Sequence, residues 1–75
     1  MITVYVKTQT SCQACDYTLR WLDSRGFEYE AKSVEDHMDE ALSHLPNAKE
    51  APIVVTDKGS WSGAAPSRLK ELLND

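Results

Sequence analysis

The chain has 75 residues, of which 41% are hydrophobic and 27% charged, and its formal net charge is −4. So short a chain holds one domain, residues 1–75, with one modest core, and its composition is that of a folded globular protein, not a disordered one. The acidic balance argues against binding phosphate backbones or an anionic membrane surface, and no apolar run approaches the length of a membrane span.

Ile2-Thr3-Val4-Tyr5-Val6 alternates and is rich in β-branched residues, which predicts a strand. It begins at once, with no secretory leader ahead of it, so a cytoplasmic location is expected. Thr8 to Ser11 reads as a polar loop. From Gln13 to Arg25 the pattern turns helical, with Ala14, Thr18 and Leu22 on one stripe and Cys15 and Leu19 beside it. Tyr17 and Trp21, one turn apart, read as a packed surface edge. Gly26 ends the helix where a positive φ is usual.

Phe27 to Val34 reads as a second strand, with Phe27, Tyr29 and Ala31 alternating with Glu28, Glu30 and Lys32. Ser33 or Glu35 is placed to cap a helix over Asp36 to Leu45, with Met38, Ala41, Leu42 and Leu45 on its apolar face. Pro46-Asn47 breaks that helix. Ala51 to Thr56 is a buried-type strand, Asp57-Lys58-Gly59 a turn, and Ser60-Trp61 its hairpin partner. Ser67 to Leu73 predicts a last helix with Leu69, Leu72 and Leu73 inward. The order β-α-β-α-β-β-α predicts an α/β fold. Its first β-α-β is parallel and right-handed, the hairpin extends the same sheet, and helices cover both faces.

The two cysteines, Cys12 and Cys15, lie three positions apart. A bridge between them closes a very small loop and is a poor staple, which favours chemistry in a reducing compartment. The pair follows a strand and opens a helix. At a helix N-terminus, unpaired N–H groups and the macrodipole favour an anion, and the thiolate is the reactive form of cysteine. Cys12 is therefore the expected nucleophile and Cys15 its resolving partner. A structural zinc site needs about four ligands. The chain has only two cysteines and two histidines, and the spacing of His37 and His44 is not that of a zinc finger. An inert pair of core thiols fits Cys15 better than Cys12, which sits in a polar junction. Lys7 ends the first strand, either as a solvated cation or as one near the Cys12 thiolate.

Three stretches together resemble the glutaredoxin branch of the thioredoxin fold. They are the strand-loop-CxxC-helix from Val4 to Cys15, the strand Ala51-Pro52-Ile53-Val54-Val55, and Trp61-Ser62-Gly63-Ala64-Ala65-Pro66. The last is similar to the signature of NrdH-type redoxins. The resemblance implies a four-stranded mixed sheet flanked by three helices, and a cis Ala51–Pro52 bond that turns the Ala51 backbone toward the cysteines. It implies dithiol exchange by Cys12 and Cys15. Lys7, Gln13, Ala14, Ala51, Pro52, Trp61, Ser62 and Gly63 then form the surface that meets a partner, with Trp61 offering an apolar patch. No bound cofactor is implied: NADPH is used indirectly, through thioredoxin reductase, and the target is class Ib ribonucleotide reductase. A monomer is expected.

Such redoxins usually have Phe-Arg-Pro-Asp after Trp-Ser-Gly, where this chain has Ala64-Ala65-Pro66-Ser67. Their intervening dipeptide commonly has Gln second, whereas Gln13 comes first here. The alternatives are a glutathione-dependent glutaredoxin, an iron–sulfur or metal carrier with Cys12 ligating a shared cluster, and a non-catalytic interaction domain.

Overall fold

A computed structural model describes residues 2–73 of the chain. Its elements are β1 (Ile2–Val6), α1 (Gln13–Ser24), β2 (Tyr29–Ser33), α2 (Met38–His44), β3 (Ile53–Thr56), β4 (Gly59–Ser62) and α3 (Pro66–Lys70), followed by a 3-10 turn over Glu71–Leu73. The strands form one four-stranded sheet in the order β2-β1-β3-β4. β1 runs parallel to β2, with Val6 opposite Ser33, and antiparallel to β3, with Tyr5 opposite Ile53. β4 returns antiparallel along β3, with Ile53 opposite Ser62. The parallel β1–β2 pair and the hairpin added to the same sheet are as the element order predicts, and the whole is the four-stranded mixed sheet that the resemblance implies.

Alternation along the strands divides the core. Ile2, Val4 and Val54 pack with Trp21 and Leu22 of α1, Trp61 of β4, and Leu69 and Leu72 at the chain's end. Tyr5 and Ile53 point the other way, onto Val34 in the turn after β2 and Ala41 of α2. α1 ends in a pair of reverse bonds, Gly26 N–H to Asp23 C=O at 3.1 Å and Phe27 N–H to Leu22 C=O at 3.0 Å. Gly26 takes a φ of 73° there, which glycine adopts at little cost.

Several expected boundaries and faces differ. Phe27 and Glu28 precede β2, because Phe27 is held by the end of α1 and stacks on Trp21 with ring centroids 5.9 Å apart. β2 alternates as expected, with Tyr29 and Ala31 level with Ile2 and Val4, but at the edge of the sheet its faces are less fully covered. Ala31 is exposed, and Lys32 folds back to Glu40 of α2 at 2.8 Å. Trp21 is interior rather than a surface edge, roofed by the Arg25 guanidinium 4.3 Å from its ring centre. α2 is shorter than predicted, starting after a turn at 34–37. Met38 and Leu73, both expected inward, are 45% and 53% exposed.

Candidate active site

The topology gathers one end of the sheet. β1 and β2 finish there, β3 begins there, and β4 finishes beside it, so the redox loop, Val34, Pro52 and Gly63 share that end. Continuing the β1–β3 register by two places sets Lys7 level with Ala51.

Cys12 is the N-cap of α1, with extended backbone at φ −144° and ψ 94°. Its Sγ accepts the Cys15 N–H at 3.2 Å, and its carbonyl accepts the Asp16 N–H at 3.1 Å. Cys12 and Cys15 are joined as a disulfide with Cα atoms 5.2 Å apart. Cys12 is half-buried and Cys15 only 2% exposed. An N–H aimed at the outer sulfur, at the positive end of a helix, is an arrangement that stabilises a thiolate on Cys12 once the bridge opens. Gln13 is exposed and Ala14 half-buried, and the Ala14 carbonyl is taken by the Thr18 hydroxyl at 2.9 Å.

The Ala51–Pro52 bond is cis. Both residues are buried, and the Pro52 carbonyl accepts the Gly63 N–H at 2.8 Å. That bond ties the Trp61-Ser62-Gly63 stretch to the proline loop. Gly63 has a φ of 78°, which favours glycine, and a Cβ there would also press on the Glu50 carboxylate at 3.1 Å, which would have to shift slightly. Beside this loop lies a groove of about 130 Å³, bordered by Lys7, Met38, Leu42, Lys49, Glu50 and Ala51.

Trp61 does not offer the expected apolar patch. It is 7% exposed and packs with Leu69 and Leu72, with the Arg68 guanidinium 5.3 Å from its ring centre. β4 turns it to the face that α1 and α3 cover, so its area is spent on the core. His37 binds the Ser33 carbonyl through Nδ1 at 3.0 Å and His44 is exposed. Among the described residues no group of three or more potential metal ligands occurs.

No family model matches the chain. A glutaredoxin-like protein NrdH of Salmonella typhimurium is 35% identical over 72 residues, covering 95% of this chain and 86% of the relative. The chain belongs to the NrdH glutaredoxin-like proteins. The solved structure of the Escherichia coli NrdH-redoxin, a glutaredoxin-like protein described as having a thioredoxin-like activity profile, superposes with a TM-score of 0.80. It is 29% identical and covers 95% of this chain and 92% of that one. A glutaredoxin from Archaeoglobus fulgidus also superposes at 0.80 with 21% identity, over 99% of this chain and 86% of that one, a likeness of fold.

Two features of this NrdH-type redoxin's site were missed in the sequence. Lys49 joins Lys7 at the groove, a second cation that its position between Asn47 and a strand did not suggest. Glu35 does not cap α2, whose N-cap is His37 without a side-chain bond. It reaches instead to the loop before Cys12, accepting the Thr8 N–H at 3.2 Å and the Thr8 hydroxyl at 3.1 Å. The strand register accounts for the contact: with Val6 opposite Ser33 in a parallel pair, two further steps bring Thr8 level with Glu35.

Proposed function

We propose that this redoxin is a dithiol electron carrier that reduces a protein disulfide, with class Ib ribonucleotide reductase as the target class and thioredoxin reductase as its own reductant. The observation that carries this reading is the helix-capping Cys12, its sulfur faced by the Cys15 N–H and bridged to Cys15. In the reduced chain the Cys12 thiolate attacks one sulfur of the partner's disulfide. A Cys12–partner disulfide forms and the partner's other sulfur leaves as a thiolate. Cys15, deprotonated, then attacks Cys12, re-forming the Cys12–Cys15 bridge and releasing the second partner thiolate. Two electrons pass to the partner, and the two protons of the dithiol end on its thiols. Thioredoxin reductase returns two electrons from NADPH to the bridge. The chain itself holds no cofactor, works as a monomer in the cytoplasm, and meets its partner beside Ala51 and Pro52, where an extended segment pairs with backbone.

The reading fed by glutathione has one observation in its favour. Lys7 and Lys49 border one groove, a place suited to a carboxylate. Against it stands the stretch after Gly63. Glutaredoxins there use a Gly-Gly followed by a polar or acidic residue, whereas this chain has Ala64 and Ala65, and Pro66 at the first turn of α3 donates no N–H. Steady-state NADPH oxidation with a small disulfide decides between them. Thioredoxin reductase is expected to sustain turnover, and glutathione with its reductase is not. The reverse result would make this a glutathione-dependent enzyme.

A further inference from the structure

The loop that delivers Cys12 is held from outside itself. Thr8, Gln9 and Thr10 form bends, and these three and Ser11 are exposed, so neither strand ladder nor core packing fixes them. Thr8 and Gln9 are held mainly by one carboxylate, with a further contact of 3.3 Å between the Thr8 and Ser33 hydroxyls. Glu35 accepts the Thr8 N–H at 3.2 Å on each oxygen, the Gln9 N–H at 3.4 Å on Oε2, and the Thr8 hydroxyl at 3.1 Å on Oε1. The Ser33 hydroxyl donates to the same carboxylate at 2.9 Å and braces it from β2. Partial burial pushes the Glu35 carboxyl upward, but the hydrogen bonds from its own backbone, Ser33, Thr8 and Gln9 outweigh this and bring its pKa down to about 2. The parallel register makes the contact possible, because Thr8 and Glu35 are each two residues beyond the paired Val6 and Ser33.

We propose that Glu35 is a positioning residue for the redox pair: by clamping Thr8 and Gln9 it keeps the loop from letting Cys12 leave the N-cap of α1. The proposal rests on the exchange reading above. Attack on a disulfide needs the thiolate held in line with the two sulfurs, so small misplacements of a nucleophile are costly. Gln9 is only three residues from Cys12, and a clamp at Gln9 leaves little slack.

The test compares wild type, Glu35→Ala, Glu35→Gln, Glu35→Asp and Thr8→Val. Steady-state reduction of a protein disulfide and the pH profile of Cys12 alkylation are read on each. Glu35→Ala is expected to lower kcat/KM by roughly threefold to tenfold, through kcat more than KM. Its alkylation midpoint moves to higher pH as Cys12 loses the Cys15 N–H. Glu35→Asp restores part of the rate. Thr8→Val removes only the hydroxyl's share of the clamp and leaves the backbone N–H bonds, so it is expected to slow turnover less than Glu35→Ala does. Glu35→Gln, which keeps one acceptor oxygen, is expected to fall between Glu35→Ala and wild type. Unchanged kcat/KM in a folded Glu35→Ala overturns the proposal. So does an alkylation midpoint that moves to lower pH, since that is the effect of removing a nearby negative charge without disturbing the loop. Cys12→Ser is run beside them. If it turns over as fast as wild type, the exchange reading has failed, which is a different result from failure of the clamp.

Discussion

The backbone N–H of Cys15 lies 3.2 Å from the sulfur of Cys12, across the first turn of α1. One hydrogen bond thus makes the two cysteines unequal. It serves the outer sulfur, while Cys15 is almost wholly enclosed.

Reduced protein should therefore alkylate faster at Cys12 than at Cys15 at neutral pH, as read by peptide mass spectrometry. Cys15→Ser should accumulate a mixed disulfide between Cys12 and a protein substrate, and Cys12→Ser should accumulate none. Preferential labelling of Cys15 would reverse the two roles.

Trp61 belongs to the core, so its loss should be felt in stability. Trp61→Ala is expected to cost about 3–5 kcal/mol in urea unfolding, as for other buried aromatics cut to alanine. Trp61→Phe should keep most of the activity on a protein disulfide. A Trp61→Ala variant of native stability that no longer engages its partner would return Trp61 to the docking surface.

The strands, their order and the CxxC helix start were legible because β-branched runs, helical periodicity and Gly26 are local signals. Faces that depend on neighbours were not. Ala31 is exposed because β2 has a partner on one side only, and Lys32 is drawn across to Glu40. Trp21 is interior because Phe27 and Arg25 close over it from beyond the helix. At the site, Cys12, Cys15 and Pro52 announce themselves by type and spacing. Glu35 and Lys49 do not, because their roles come from the ends of separate strands and loops meeting at one end of the sheet.

Gly63→Ala should be destabilising. The left-handed φ of 78° alone costs an alanine roughly 1–2 kcal/mol, and the Glu50 carboxylate stands in the way of the new methyl group. Adding Glu50→Ala should recover only the steric share. Urea midpoints of the single and double variants measure both parts, and full recovery in the double variant would mean that the backbone is unstrained.

Tyr5 should give the protein a specific alkaline sensitivity. Burial first, and then its hydrogen bond to Glu40, hold its hydroxyl pKa up to about 12 from an ordinary 10.0. The folded chain keeps that proton where the unfolded chain releases it. The contribution is thus complete below pH 10.0 and lost as pH rises toward about 12. Urea midpoints should fall more steeply across that range in wild type than in Tyr5→Phe. Parallel falls would show that Tyr5 titrates alike in both states.

In the proposed exchange, Cys12 and Cys15 together carry two electrons to a protein disulfide. Intact-mass spectrometry after mixing the reduced chain with an equimolar disulfide protein reads this directly. The chain should lose two hydrogens as the substrate gains two, and Cys12→Ser should leave the substrate oxidised. A substrate left oxidised by the wild-type chain, or reduced equally by Cys12→Ser, would contradict that exchange.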